Sequence, residues 1–216
     1  MDASKTRFLV LGLLVVGLGI VLGTALWLKL APGARLGVGG SADDERLKMY
    51  GSVPEFALTE RNGEAIQLTQ LRGKIWIADF IYTNCQDTCP LQTATMAKLQ
   101  EEFAARPEIQ LVSFSVDPER DTPRVLTEYA GRYHADAKRW FFLTGQRSQL
   151  LNLIQEGFHL SVATIPTDTD INAMIPHSPR FVLMDKQARI RGYYDSRDRE
   201  ALLRLRNDVE DLLKGS

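Results

Sequence analysis

Lys74 to Tyr82 reads KIWIADFIY, an almost unbroken apolar run of β-branched and aromatic residues. A strand with one face in water would alternate. A run this uniform belongs to a strand buried on both faces, in the middle of a covered sheet. The rest of the chain from Val53 onward supplies partners for it. Phe56 to Thr59 and Ala65 to Leu68 flank Arg61-Asn62-Gly63, an Asn-Gly hairpin signal. Leu91 to Ala105 carries Leu91, Met96, Leu99 and Phe103 near helical spacing and predicts an amphipathic helix. Ile109 to Val116 is a second buried strand. Thr122 as cap and Pro123 at the first helical position start a helix that runs to Tyr133. Trp140 to Leu143 is a third strand, and Ser148 to Glu156 a helix stopped by Gly157. Phe181 to Met184 and Ile190 to Tyr194 form a second hairpin. Ser196 is expected to cap a last helix, Asp198 to Leu213, with Leu202, Leu205, Val209 and Leu212 on one face. Leu160 to Pro176 is Thr/Asp-rich and reads as a long loop, a kind that is often functional.

Strands alternating with helices predict an α/β sheet, which the closing hairpin makes mixed. The order is that of a thioredoxin-like fold with an N-terminal β-hairpin extension. Ahead of it, Phe8 to Leu28 runs 21 residues without a charge, enough for one transmembrane helix. Lys5 and Arg7 precede the run, and Trp27 and Lys29 close it. A cleaved signal peptide is the other reading, but its apolar core is usually shorter, about 7–15 residues. No cysteine follows the run, which excludes a lipoprotein anchor. The chain thus divides into a cytoplasmic tail (1–7), a transmembrane anchor (8–30), a Gly-rich linker (31–52) and one domain (53–216). Lys and Arg do not settle the orientation, but large C-terminal domains translocate largely regardless of charge. The expected location is a bacterial inner membrane crossed once, with the domain in the periplasm.

Composition narrows the chemistry. With 26 Lys+Arg against 27 Asp+Glu the net charge is -1, which gives no support for a nucleic-acid binder. Two cysteines and three histidines cannot build a disulfide-rich scaffold or a four-cysteine zinc site. Both cysteines lie in Thr83-Asn84-Cys85-Gln86-Asp87-Thr88-Cys89-Pro90, between the central strand and a helix. Residues four apart on a helical turn share a face, so the two sulfurs can close a disulfide or bind one metal. A helix N-terminus also favours the thiolate that either chemistry needs. Strand carboxyl ends are where α/β sheets place their sites. Of the histidines, His134 ends a helix and His159 lies in an apolar stretch. His177 precedes a strand whose start, in a thioredoxin-like layout, adjoins the cysteine loop.

Three features make the chain resemble the Sco/SenC family, copper-binding thioredoxin-like proteins of cytochrome c oxidase assembly. They are Cys85-x-x-x-Cys89-Pro90 after an apolar strand, the segment Asp117-Pro118-Glu119-Arg120-Asp121-Thr122 after the next strand, and His177 ahead of Phe181 to Met184. The resemblance spans about Val53 to Lys214. Gln86 departs from it, standing where the family usually has proline. The resemblance implies one copper ion per domain, held by Cys85, Cys89 and His177. Two sulfurs and an imidazole suit Cu(I) and can hold Cu(II). Asp87 and Asp117 are either supports for that site or ordinary turn and capping residues.

Two functions follow from these residues. A copper chaperone, not itself an enzyme, would deliver the ion to the binuclear centre of oxidase subunit II or to another periplasmic copper protein. A thiol-disulfide oxidoreductase would use Cys85 and Cys89 as a redox dithiol to reduce the cysteines of that centre. A peroxidase is a weaker third reading: the peroxiredoxin pattern needs Thr or Ser three residues before the cysteine, where this chain has Tyr82.

Overall fold

The computed structural model describes residues 47–86, 88–160 and 179–215, all within the unit Gly40–Ser216. The expected anchor, most of the linker, Asp87 and His177 lie outside the described residues. Among those described, no helix is long and apolar enough to cross a membrane.

Eight strands form one mixed sheet. They are β1 (Gly51–Ser52), β2 (Ala57–Glu60), β3 (Ala65–Gln67), β4 (Ile75–Ile81), β5 (Ile109–Ser115), β6 (Trp140–Thr144), β7 (Arg180–Met184) and β8 (Arg189–Asp195). Their order is β1-β8-β7-β4-β5-β6-β2-β3. The uniform apolar run sits where expected: all seven residues of β4 are buried, as are all seven of β5 beside it. β4, β5 and β6 are parallel, with Ile75 opposite Ile109 and Leu111 opposite Trp140. β7 joins β4 antiparallel, with Trp76 opposite Met184, and β8 follows β7. The β2–β3 hairpin extends the sheet beyond β6, as the Asn-Gly signal predicts. The linker ends sooner than expected. Gly51 and Ser52, its last two residues, form β1 against Ile190 and Arg189, and Arg191 donates to the Leu47 carbonyl (2.6 Å).

Helices cover both faces. They are α1 (Leu68–Leu71), α2 (Thr88–Glu102), α3 (Pro123–Arg132), α4 (Arg147–Asn152) and α5 (Arg199–Lys214). The alternation of side chains along β4 sorts the core. Ile75, Ile77 and Ile81 pack with Met96 and Leu99 of α2, Leu126 of α3 and Leu205 and Val209 of α5. Trp76, Ala78 and Phe80 pack with Leu68, Leu150, Leu153 and Phe158 on the other side. Each such side chain contributes about 1.5–3 kcal/mol when taken fully out of water.

Three boundaries differ from expectation for local reasons. α1 is a single turn, held by a capping box in which the Gln67 N–H donates to Gln70 Oε1 (2.6 Å), and it buries both of its leucines. Past α4 the expected helix widens into a π turn, Leu153–Gly157. There a Cβ on Gly157 would stand 2.7 Å from Pro54 Cδ, so the turn needs glycine. Ser196 does not cap the last helix. Its N–H donates to the Pro179 carbonyl (2.6 Å), prolonging the β7–β8 ladder, while Asp198 caps α5 by accepting from the Glu200 N–H (2.9 Å).

One polar residue interrupts β4. Asp79 is fully buried, on the face toward α2 and α3. Its Oδ1 accepts from Ser113 (2.5 Å), whose hydroxyl accepts from the Trp140 indole (2.9 Å). Its Oδ2 has no partner among the described residues. Burial is the largest influence on this carboxyl and pushes its pKa up to about 7, against the Ser113 hydrogen bond, which pulls it down. Below about pH 4 the group is protonated in folded and unfolded chains alike. As pH rises toward 7 only the unfolded chain releases the proton, so folding loses on the order of 4 kcal/mol across that window. Replacing Asp79 by Asn should flatten this loss. Urea unfolding at pH 5 and pH 8 checks it: equal pH dependence in parent and D79N would count against the assignment.

Candidate metal centre

The site begins where β4 runs out. Val116 N–H donates to the Ile81 carbonyl (2.8 Å), the final link between β4 and the chain leaving β5. Beyond it the backbone turns, with Cys85 N–H on the Tyr82 carbonyl (3.2 Å), and enters α2. α2 starts at Thr88, three residues before the expected Leu91, so Cys89 lies in its first turn. The Cys89 N–H donates to Cys85 Sγ (3.4 Å). The first sulfur therefore sits at the helix N-terminus, where free N–H groups and the helix dipole favour negative charge.

Neither cysteine is in a disulfide, and both are buried, Cys85 with 7% of its surface exposed and Cys89 with 2%. Tyr82 packs with them in a small apolar cluster, and Val116 packs against it. Burial dominates the electrostatics of Cys89: it drives the thiol well above its ordinary pKa, and the hydrogen bond with Cys85 adds to this. The expected gain from the helix N-terminus does not prevail at this position. A ligand or an oxidant must therefore displace a proton that the protein itself holds firmly. The Tyr82 hydroxyl is shifted upward as well, first by burial and then by its hydrogen bond with Cys85.

The acidic segment after β5 meets the same loop. Asp117 is buried and serves as a turn residue: its carbonyl accepts from the Arg120 and Asp121 N–H groups, and its carboxylate from Arg120 (3.1 Å). Asp121 is the residue that sequence reasoning missed. Its carboxylate, 1% exposed, accepts from the Thr83 N–H (3.2 Å), the Thr83 hydroxyl (2.6 Å) and the Ser115 hydroxyl (2.6 Å). Burial raises its pKa, against the Ser115 and Thr83 hydrogen bonds. Nothing in the spacing of Thr83, Ser115 and Asp121 announces this, since they come from three segments. Asp79 was legible as an anomaly, an acid inside an apolar run.

Cys85 and Cys89 are thus brought together, while His177 and Asp87 lie outside the described residues. Among the described residues no group of three or more His, Cys, Asp or Glu converges as a metal site. Neither remaining histidine joins the cysteines. His134 is exposed after α3, near the start of β6 and so at the opposite end of the sheet. His159 is exposed beside Gly51 on the β1 edge. The start of β7, three residues past His177, is tied to the cysteine helix: Gln92 of α2 donates to the Arg180 carbonyl (3.3 Å).

The donor set fits a soft monovalent cation. Two buried sulfurs one helical turn apart match Cu(I), and an imidazole would complete the set.

Comparisons with known proteins agree. The SCO1/SenC family model matches residues 45–213. The SCO1 protein homolog of Bacillus subtilis is 42% identical over 94 residues, a match covering 43% of this chain and 49% of that relative. The solved structure of BsSco, a member of the Sco family of cytochrome c oxidase assembly proteins in which a disulfide switch was identified, superposes with a TM-score of 0.66. It is 29% identical, covering 77% of this chain and 96% of BsSco. ScoI of Bradyrhizobium japonicum, solved with copper bound, superposes with a TM-score of 0.57 at 25% identity, covering 72% of this chain and 98% of ScoI. The mixed α/β sheet with a dithiol at the end of its central strand is the thioredoxin-like Sco fold, and the chain belongs to the SCO1/SenC family.

Proposed function

We propose that this protein is a copper chaperone that binds Cu(I) or Cu(II) through Cys85, Cys89 and His177 and passes it to the binuclear copper centre of cytochrome c oxidase subunit II. The observation that carries the reading is the convergence of the two sulfurs, with the Cys89 N–H on Cys85 Sγ at 3.4 Å in a buried cluster with Tyr82, against which Val116 packs. The tie between Gln92 and Arg180 supports His177 as third ligand, because that histidine is only three residues from the point where β7 begins. Copper is cargo here. The protein's part is to hold it with soft donors and to release it when one donor withdraws or a thiol takes back its proton. The upward shift of Cys89 makes that proton a real competitor, so uptake releases protons and weakens as pH falls.

The uncharged run from Phe8 to Leu28 would anchor the chain in a bacterial inner membrane, with the domain in the periplasm. The Gly-rich segment that follows would give it reach toward a membrane-bound partner.

A second reading is supported by the same pair and by the disulfide switch described in BsSco. The thiols of Cys85 and Cys89 could pass two electrons and two protons to a disulfide of the copper-site protein, ending as an intramolecular disulfide. The imidazole separates the two. Replacing His177 by Ala should weaken copper binding by at least about ten-fold, because losing a ligand costs no less than losing a residue that supports one. Disulfide formation between Cys85 and Cys89 should continue. Competition titration of the reduced full chain in detergent checks this, and parent-like affinity in H177A would rule out the three-ligand site.

Oxidation gives an independent check. Closing the Cys85–Cys89 disulfide removes both sulfur donors, so the oxidised chain should take up no Cu(I) at this site. One equivalent of tightly bound Cu(I) on fully oxidised protein would contradict the ligand assignment.

A further inference from the structure

We propose that Asp121 is the positioning residue of the metal site, holding the turn that presents Cys85. The inference rests on the copper reading above for its consequence, but on geometry alone for its content. The carboxylate is inaccessible and gathers three donors from two other segments. Thr83, two residues before Cys85, gives it both a backbone N–H and a hydroxyl, and Ser115 at the end of β5 gives the third. Among the described residues no Lys or Arg pairs with it. A buried carboxylate without a cation is costly unless its lone pairs are taken up by well-placed donors, so the arrangement is retained against a penalty.

The network continues on the other side. Ser115 Oγ accepts from the Asp117 N–H (3.1 Å), and the Asp121 N–H donates to the Asp117 carbonyl (2.9 Å). The acidic turn is thereby closed on itself and on β5, and among the described residues Thr83 is its only hold on the cysteine loop through this carboxylate. From Thr83 the chain has one residue, Asn84, before Cys85, whose own N–H is committed to Tyr82. Cys85 Sγ must then meet the Cys89 N–H from a backbone fixed on both sides. Release the Thr83 end and this carboxylate no longer anchors the backbone that leads into Cys85. Asp121 touches neither sulfur, so it acts through Thr83.

The test uses the reduced full chain in detergent. Replacing Asp121 by Asn keeps the volume but leaves one of the three donors facing an amide N–H₂. In the metal-free protein, alkylation of the cysteines by iodoacetamide should become several-fold faster while circular dichroism stays native. Copper affinity should fall roughly ten-fold, the scale expected when a supporting hydrogen bond to a metal site is lost. The thiolate-to-Cu(II) charge-transfer band should shift. T83V removes only the hydroxyl and should change the same readouts in the same direction by less. It also serves if D121N does not fold. The double variant should be no worse than D121N alone, because both changes break one contact. L205A, in the core under α5, lowers stability without touching the network and should leave alkylation and copper affinity at parent values.

Parent-like alkylation in both D121N and T83V would overturn the proposal, as would changes that L205A reproduces at equal destabilisation. If the parent chain takes up no copper, the chaperone reading falls, and the alkylation comparison still decides the role of Asp121.

Discussion

Burial of β4 on both faces is the constraint from which the rest of this domain follows. A strand with no solvent face needs a layer of side chains above and below it. α2, α3 and α5 supply one layer, and α1, α4 and the π turn supply the other. Its backbone must be paired on both edges, by β5 and β7, which makes the sheet mixed. The same burial leaves only the two ends of β4 to lead outward, and the functional loop lies at the carboxyl end. Cys85 and Cys89 occupy that place.

Burial then sets the chemistry of the loop. A cysteine in water ionises at about pH 8.5. Buried beside Cys85, Tyr82 and Val116, Cys89 resists ionisation. The helix N-terminus works the other way, offering the Cys89 N–H to Cys85 Sγ. The two sulfurs are therefore unequal, one at the mouth of the helix and one beneath it. This inequality would suit the proposed release of copper as well as its binding. Asp79 and Asp121 extend the pattern: two buried acids, both with raised pKa, flank the loop without contributing a metal donor.

Much of this was legible from residue order. The run from Lys74 to Tyr82, the Asn-Gly hairpin, the Thr122-Pro123 helix start and the pairing of both cysteines at a strand-to-helix edge were each carried by local patterns of period, turn chemistry or spacing. The misses were local as well. Ser196 and Asp198 both fit a cap, and only the ladder bond from Ser196 to Pro179 decides between them. The π turn before Gly157 depends on where Pro54 packs, a contact between residues a hundred positions apart.

By itself the sequence determined the central strand, the α/β alternation and the position of the dithiol, because hydrophobic period and cysteine spacing are properties of neighbouring residues. Only the tertiary structure decided that Asp121 reaches Thr83, that Asp79 lies buried with one oxygen unpaired, and that Cys89 keeps its proton. Each of these depends on which distant segment fills the space around a polar group, and that is settled when the layers close over β4.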